Sequence, residues 1–245
     1  MSDAGADDLP GIRLLQAPTA PPGPSAALLA AVAHARPVRT RVPIRTLLVV
    51  AAAAAVFPVA AVAVYPFRKD LHALPPMWVA AIALVWAAGF VFPLAAAILP
   101  RPGQVLPDGR RAGGAALLAA LTLMLVGLLF TVDAPGVTIL PRTTWDGFLH
   151  LWWHCVSFSL KVSVPAVLAG ALVFRKLAVA NLGRVGAAIG AAAGALSGLT
   201  LHGLCPYGGA PHVGLAHGGG VVIGALLGSL WLPLLVRLGR PRGSA

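Results

Sequence analysis

Residues 150–174 read HLWWHCVSFSLKVSVPAVLAGALVF, a run of apolar and small residues whose one formal charge is Lys161. At a helical rise of about 1.5 Å per residue, some 20 such residues cross a hydrocarbon core of about 30 Å. Five further stretches of the same kind flank it. With His150–Phe174 in fourth place, the series is Thr46–Tyr65, Met77–Leu99, Gly113–Val132, Val185–Leu204 and Gly219–Val236. The expected fold is all-α: a polytopic bundle of six transmembrane helices. Composition agrees, with 58% hydrophobic and 10% charged residues and a mean hydropathy of +0.87. Soluble domains carry about a quarter charged residues. Pro58, Pro93, Pro165 and Pro233 fall inside the stretches. They would break soluble helices, but membrane bundles accept them where neighbours or local distortion satisfy the freed carbonyl.

Orientation follows from Lys and Arg near the helix ends. Arg13, Arg36, Arg39, Arg41 and Arg45 precede the first stretch. Arg101, Arg110 and Arg111 follow the second, Arg175, Lys176 and Arg184 the fourth, and Arg237, Arg240 and Arg242 the sixth. These are 14 of the 18 basic residues; Arg68, Lys69 and Arg142 fall on the other side and Lys161 within a span. Both termini are therefore expected in the cytoplasm. The organisation expected is a cytoplasmic segment over 1–45, a transmembrane domain over 46–236 and a cytoplasmic tail over 237–245. Residues 1–45 open with Asp3, Asp7 and Asp8, continue through the Pro-rich QAPTAPPGPS, and reach SAALLAAVAHA. There Ser25 is expected to cap a short amphipathic helix with Leu28, Leu29 and Val32 on one face, before the basic collar of Arg36, Arg39 and Arg41.

The net charge of +11 reads as a topology signal and an attraction to anionic headgroups. Direct nucleic-acid binding is not expected, because no basic helix is interleaved with aromatics and no zinc-finger spacing occurs. Catalysis lacks its usual parts: there is no Ser-His-Asp order, no HExxH and no phosphate-binding glycine loop with its lysine. Without acidic residues in the spans, a carboxylate proton relay has nothing to run on. Lys161, about 9 Å inward from Cys155 along a helix, is either an intramembrane site or a side chain snorkelling to the headgroups.

The two cysteines, Cys155 and Cys205, fall near the outer ends of the fourth and fifth stretches, facing the side where disulfides persist. Three readings stay open: a constitutive Cys155–Cys205 disulfide, a reversible redox switch, and a pair of soft metal ligands. Five of the seven histidines lie at the same level: His150 and His154 at i,i+4, His202 three residues before Cys205, and His212 and His217 in the last outer loop. Imidazole and thiolate suit Zn, Cu or Cd. The plainer reading is interfacial histidines satisfied by water and headgroups beside a structural disulfide. Trp78, Trp145, Trp152 and Trp153 sit where an aromatic belt belongs. Gly186, Gly190, Gly194 and Gly198 recur every four residues, as do Gly220, Gly224 and Gly228, and are expected to let helix backbones approach closely.

In order along the chain, LLAAVAHARPVRTRVPIRTL (28–47), FRKDLHALPPMW (67–78), RPG (101–103), WWHC (152–155) and LHGLCP (201–206), together with the six spans, resemble the NrsF-type family, the negative regulators of sigma F. These are six-helix bacterial inner-membrane anti-sigma factors. The resemblance implies an extracytoplasmic-function sigma factor held inactive at the cytoplasmic face, with the segment before Thr46 contributing. Leu28, Leu29, Val32, Arg36, Arg39 and Arg41 are its candidate contacts. It also implies that Cys155 and Cys205 take part in the response to oxidative or heavy-metal stress, after which the sigma factor is released. The N-terminal segment here is longer, richer in proline and more acidic at its start than in typical members. Outside the resemblance, three other classes fit the residues: a metal-binding membrane protein or transporter using the His/Cys cluster, a structural membrane protein, and a haem oxidoreductase with His154 and His202 as axial ligands.

Overall fold

The computed structural model describes residues 25–26, 30, 43–101, 106–130, 145–175, 177, 179, 181–205, 207 and 209–239, with the side chains of 43 and 145–151 excepted. The chain divides into two units, Met1–Arg39 and Thr40–Ala245. The candidate partner contacts Leu28, Leu29, Val32, Arg36, Arg39 and Arg41 lie outside the described residues. Within the second unit the described residues form helices and no strand. The long helices are α1 (Pro43–Val64), α2 (Pro76–Ile98), α3 (Gly109–Leu129), α4 (Trp145–Phe174), α5 (Leu182–Leu204) and α6 (Gly219–Leu238). Among the described residues, six spans are long and apolar enough to cross a membrane. Helices α1, α2, α4 and α6 continue through Pro58, Pro93, Pro165 and Pro233.

The local sequence explains several boundaries. Asp108 starts α3 four residues before Gly113, because its side chain accepts from the backbone N–H of Arg110 at 2.8 Å. It thereby satisfies a donor that the helix end leaves orphaned. Pro76 opens α2 at a position where its missing N–H costs nothing. Asn181, in the left-handed region at φ 60°, turns the chain into α5, a conformation Asn tolerates better than most residues.

Burial ranks the helices. In α5, 78% of the span is buried, against 22% in α1. α5 is the central helix, in contact with α2, α3, α4 and α6. On the outside, Leu48, Val49, Val56, Val59 and Val64 of α1 and Leu117, Leu118, Leu121 and Leu125 of α3 are exposed. Apolar surface on this scale marks contact with lipid rather than water. α5 and α6 run antiparallel and meet backbone to backbone at their glycines. A Cβ added at Gly186 would stand 2.1 Å from the Gly228 carbonyl oxygen, and one at Gly190 would stand 1.9 Å from that of Gly224. Gly194 lies against the backbone of Gly220 and Val221. Gly198 instead faces the Trp86 indole of α2, and Gly220 faces Ser159 of α4.

At one end of the bundle the α1–α2 connection docks on the end of α5. The Arg68 N–H donates to the Gly203 carbonyl at 2.9 Å, and the buried Arg68 guanidinium donates through Nε to Asp70 at 2.7 Å. That bond holds the Asp70 carboxyl below its ordinary range, against the opposing push of burial. A depressed folded pKa means the stabilisation is complete above the unfolded value of about 4 and is lost as pH falls through the lower folded value. Acidification below about pH 4 is therefore expected to undock this loop. The readout is lost hydrogen-exchange protection at the Arg68 N–H, corrected for intrinsic rate, and Asp70→Asn should lose it at neutral pH. The opposite end holds Arg101, 3.5 Å from Asp108, and Arg111, whose Nη1 donates to the Leu99 carbonyl at 3.5 Å. Arg184 packs on Gly113 at the same end.

One expectation is corrected. The stretch before Gly219, read as an outer loop, is helical: Ala210–His212 is an α turn, Val213–Gly218 is a π-helical turn, and both run directly into α6. The sixth span is therefore Ala210–Leu238. Glycine and proline are poor helix formers in isolation, but here close packing holds the turn. Gly214 lies against Leu128, Gly218 against Met124, and Gly127 against the backbone of Gly214.

Candidate functional site

The π turn builds the site. In an α-helix, residues five apart differ by about 140° in direction, so His212 and His217 would diverge. A π turn pairs i with i+5, and the two rings stand with centroids 5.2 Å apart. Trp152 of α4 donates its indole N–H to the Leu215 carbonyl at 3.0 Å, which ties the middle of the turn to the neighbouring helix. His212 and His217 are 3% and 1% exposed. These are positions inside the bundle, not in a loop.

Cys155 comes from the second turn of the α4 span and Cys205 from the end of α5. They are 6% and 7% exposed and neither is in a disulfide. The His212 Nε2 lies 3.5 Å from both sulfurs. One ligand atom each from Cys155, Cys205, His212 and His217 lies within 4.8 Å of every other, a buried group that can hold a metal ion. Trp152, Leu201, Tyr207 and Ala216 wall it in. Among the described residues no carboxylate belongs to it.

The remaining histidines separate. His202 stands beside the four, with its Nδ1 3.2 Å from the Nδ1 of His217 and its ring edge-on to Trp86 at 5.0 Å. His154 is exposed and outside the group, and the side chain of His150 lies outside the described ones. His202 lines a cleft to which His154 does not contribute. Lys161 is exposed on α4, as snorkelling requires.

Two features around the group were not singled out in the sequence. A cleft of about 150 Å³, lined by Arg68, Leu71, Trp78, Ile82, His202 and Gly203, opens beside it. His202 forms part of both, so the cleft reaches to within one ring of the ligand group. Below Cys155, Ser159 donates to the Cys155 carbonyl at 3.3 Å and pairs with Ser197 of α5 at 2.8 Å. Further along α4, Ser163 lies against Gly224 of α6. Serine at positions 155+4 and 155+8 is a readable signal, since both face the same side of α4 as the cysteine.

A family model described as negative regulator of sigma F, NrsF, matches residues 29–238. The matched region takes in all six spans and every member of the Cys/His group. No protein with curated annotation and no solved structure matches the chain.

Proposed function

From the chain's membership of the NrsF family, the negative regulators of sigma F, we propose that it is a membrane anti-sigma factor. It holds an extracytoplasmic-function sigma factor at the cytoplasmic face of the bacterial inner membrane. It releases that factor when Cys155 and Cys205 meet an oxidant or a heavy metal. The observation that carries the sensing half is the pair of buried, unbonded thiols on either side of His212 Nε2. Cysteines that served only to staple helices would need no imidazole between them. The 14 basic residues on one side support the orientation, with both termini and the collar facing the cytoplasm. Residues before Thr46 supply the sigma-factor contact in this reading, with Leu28, Leu29 and Val32 as an apolar face and Arg36, Arg39 and Arg41 beside it.

Solubilised from its native membrane, the full-length protein is expected to bring down a sigma factor identifiable by mass spectrometry. Leu28→Asp with Leu29→Asp, or Arg36→Glu with Arg39→Glu, should lower the yield at least tenfold, the factor that about 1.4 kcal/mol of lost contact provides. Recovery of no sigma factor from native membranes would count decisively against the reading. A second reading, a metal transporter, is favoured by the buried Cys/His group alone. It predicts metal uptake into vesicles holding the purified protein, where the anti-sigma reading predicts none.

A further inference from the structure

We infer that Cys155, Cys205, His212 and His217 bind one zinc-type divalent cation through two thiolates and two imidazole nitrogens. The inference rests on the sensing role proposed for the cysteines and names the ligand of that same site.

The geometry is close to what such an ion requires. Zn–S bonds of about 2.3 Å and Zn–N bonds of about 2.0–2.1 Å, at a tetrahedral angle, place sulfur and nitrogen about 3.5–3.6 Å apart. The His212 Nε2 already stands 3.5 Å from each sulfur. The fourth ligand atom lies within 4.8 Å of the other three.

The chemistry of the donors selects the ion. Two sulfurs and two imidazoles, with no carboxylate beside them among the described residues, disfavour magnesium and calcium, which take oxygen. They suit tetrahedral zinc and its softer congeners. Two thiolates cancel the charge of a divalent cation, which leaves a neutral centre, and only a neutral centre is cheap to bury this deeply.

His217 supplies an independent sign. Its Nδ1 is engaged by His202 at 3.2 Å, while its Nε2 is buried with no hydrogen-bond partner. One ring nitrogen held by an outer partner and the other left for the metal is the usual arrangement of a metal-ligating histidine. His202 is thus the positioning residue of the site. The ligands come from α4, the end of α5 and the Ala210–Gly218 stretch that leads into α6, so the ion would tie three segments together at one end of the bundle.

The test uses the full-length protein, purified without a polyhistidine tag, stripped with a chelator and titrated with Zn2+ or Co2+. Expected are one metal per chain by mass spectrometry of the elements and a cobalt spectrum with thiolate charge-transfer and intense tetrahedral d–d bands. Cys155→Ser, Cys205→Ser, His212→Ala and His217→Ala should each weaken binding by more than the roughly 10–100-fold expected for the outer partner in His202→Ala. His154→Ala should leave it unchanged.

Substoichiometric metal, or metal retained at full affinity in both His212→Ala and His217→Ala, would overturn the assignment. Where a variant fails to elute as a monodisperse species, the wild-type cobalt spectrum decides. Two-sulfur charge transfer supports the site, and an octahedral spectrum without it overturns the site. Metal is measured on the purified chain with no sigma factor present, so its absence leaves the regulatory reading standing. Conversely, a metal-loaded protein that captures no sigma factor overturns that reading alone.

Discussion

Gly190→Val is expected to remove the folded bundle altogether. The first added carbon would lie 1.9 Å from the Gly224 carbonyl oxygen, a backbone atom with no flexible end to swing aside. Overpacking a core that can adjust costs about 1–3 kcal/mol. Here the adjustment must be the separation of α5 from α6, and α5 is the most buried span in the molecule. The loss approaches the whole stability of about 5–15 kcal/mol typical of a folded protein. Gly186→Val meets the same obstacle at Gly228. The check is the yield of monodisperse protein in mild detergent and its thermal midpoint. Gly114→Ala is the control, because nothing lies within 4 Å of its missing Cβ. It should be neutral or stabilise α3 by up to about 1 kcal/mol. A Gly190→Val protein that elutes and melts like the wild type would show that the two helices do not meet at their glycines.

The second large effect concerns regulation. With either Cys155→Ser or Cys205→Ser, transcription from a sigma-dependent promoter should no longer change when peroxide is added. An allosteric coupling of about 1–3 kcal/mol corresponds to a response of roughly 5–150-fold, and that ratio should fall to near one. Serine is close to cysteine in size and puts a hydroxyl in place of the thiol, but it neither oxidises to a disulfide nor binds soft metals. In the oxidation, the two thiols give up two protons and two electrons. These reduce one hydrogen peroxide to two waters as the sulfur–sulfur bond forms. The sulfurs start within 4.8 Å and must close to about 2.05 Å, a movement that α4 and the end of α5 have to follow. Because both thiols are buried, a small neutral oxidant entering by the cleft at His202 should act quickly, and a bulky maleimide slowly. A full peroxide response in both serine variants would end the proposal that these cysteines are the input.

Much of the fold was legible because hydropathy over 20 residues is a strong signal and lipid leaves few alternatives to helices. Each of the six spans overlaps its expected stretch. Boundaries were less legible, since they depend on single caps such as Asp108 and on how Ala210–Gly218 packs. The site was half legible. Cysteines at neighbouring helix ends suggest proximity without any structural knowledge, and His202 three residues before Cys205 suggests a shared face. The part played by His212 and His217 was hidden by their spacing of five, which is a divergence in an α-helix and a convergence only in a π turn. A π turn has no composition of its own to read; it is made by Leu128, Met124 and Trp152 packing around it. His150 and His154 looked equally eligible because spacing along one helix says nothing about which side of it faces the neighbours.

The widened turn over Val213–Gly218 stores one residue more than an ordinary helix would take up in the same height. Should it relax to the common winding, everything after it would rotate by about 100° and advance by about 1.5 Å, the step of a single residue. Gly224 and Gly228 would swing off Gly190 and Gly186, and bulkier neighbours such as Leu226 and Leu227 would come round in their place. The meshing of the last two helices is thus conditional on a coil held open at their far end, much as a gear train stays engaged only while its spacer is in position.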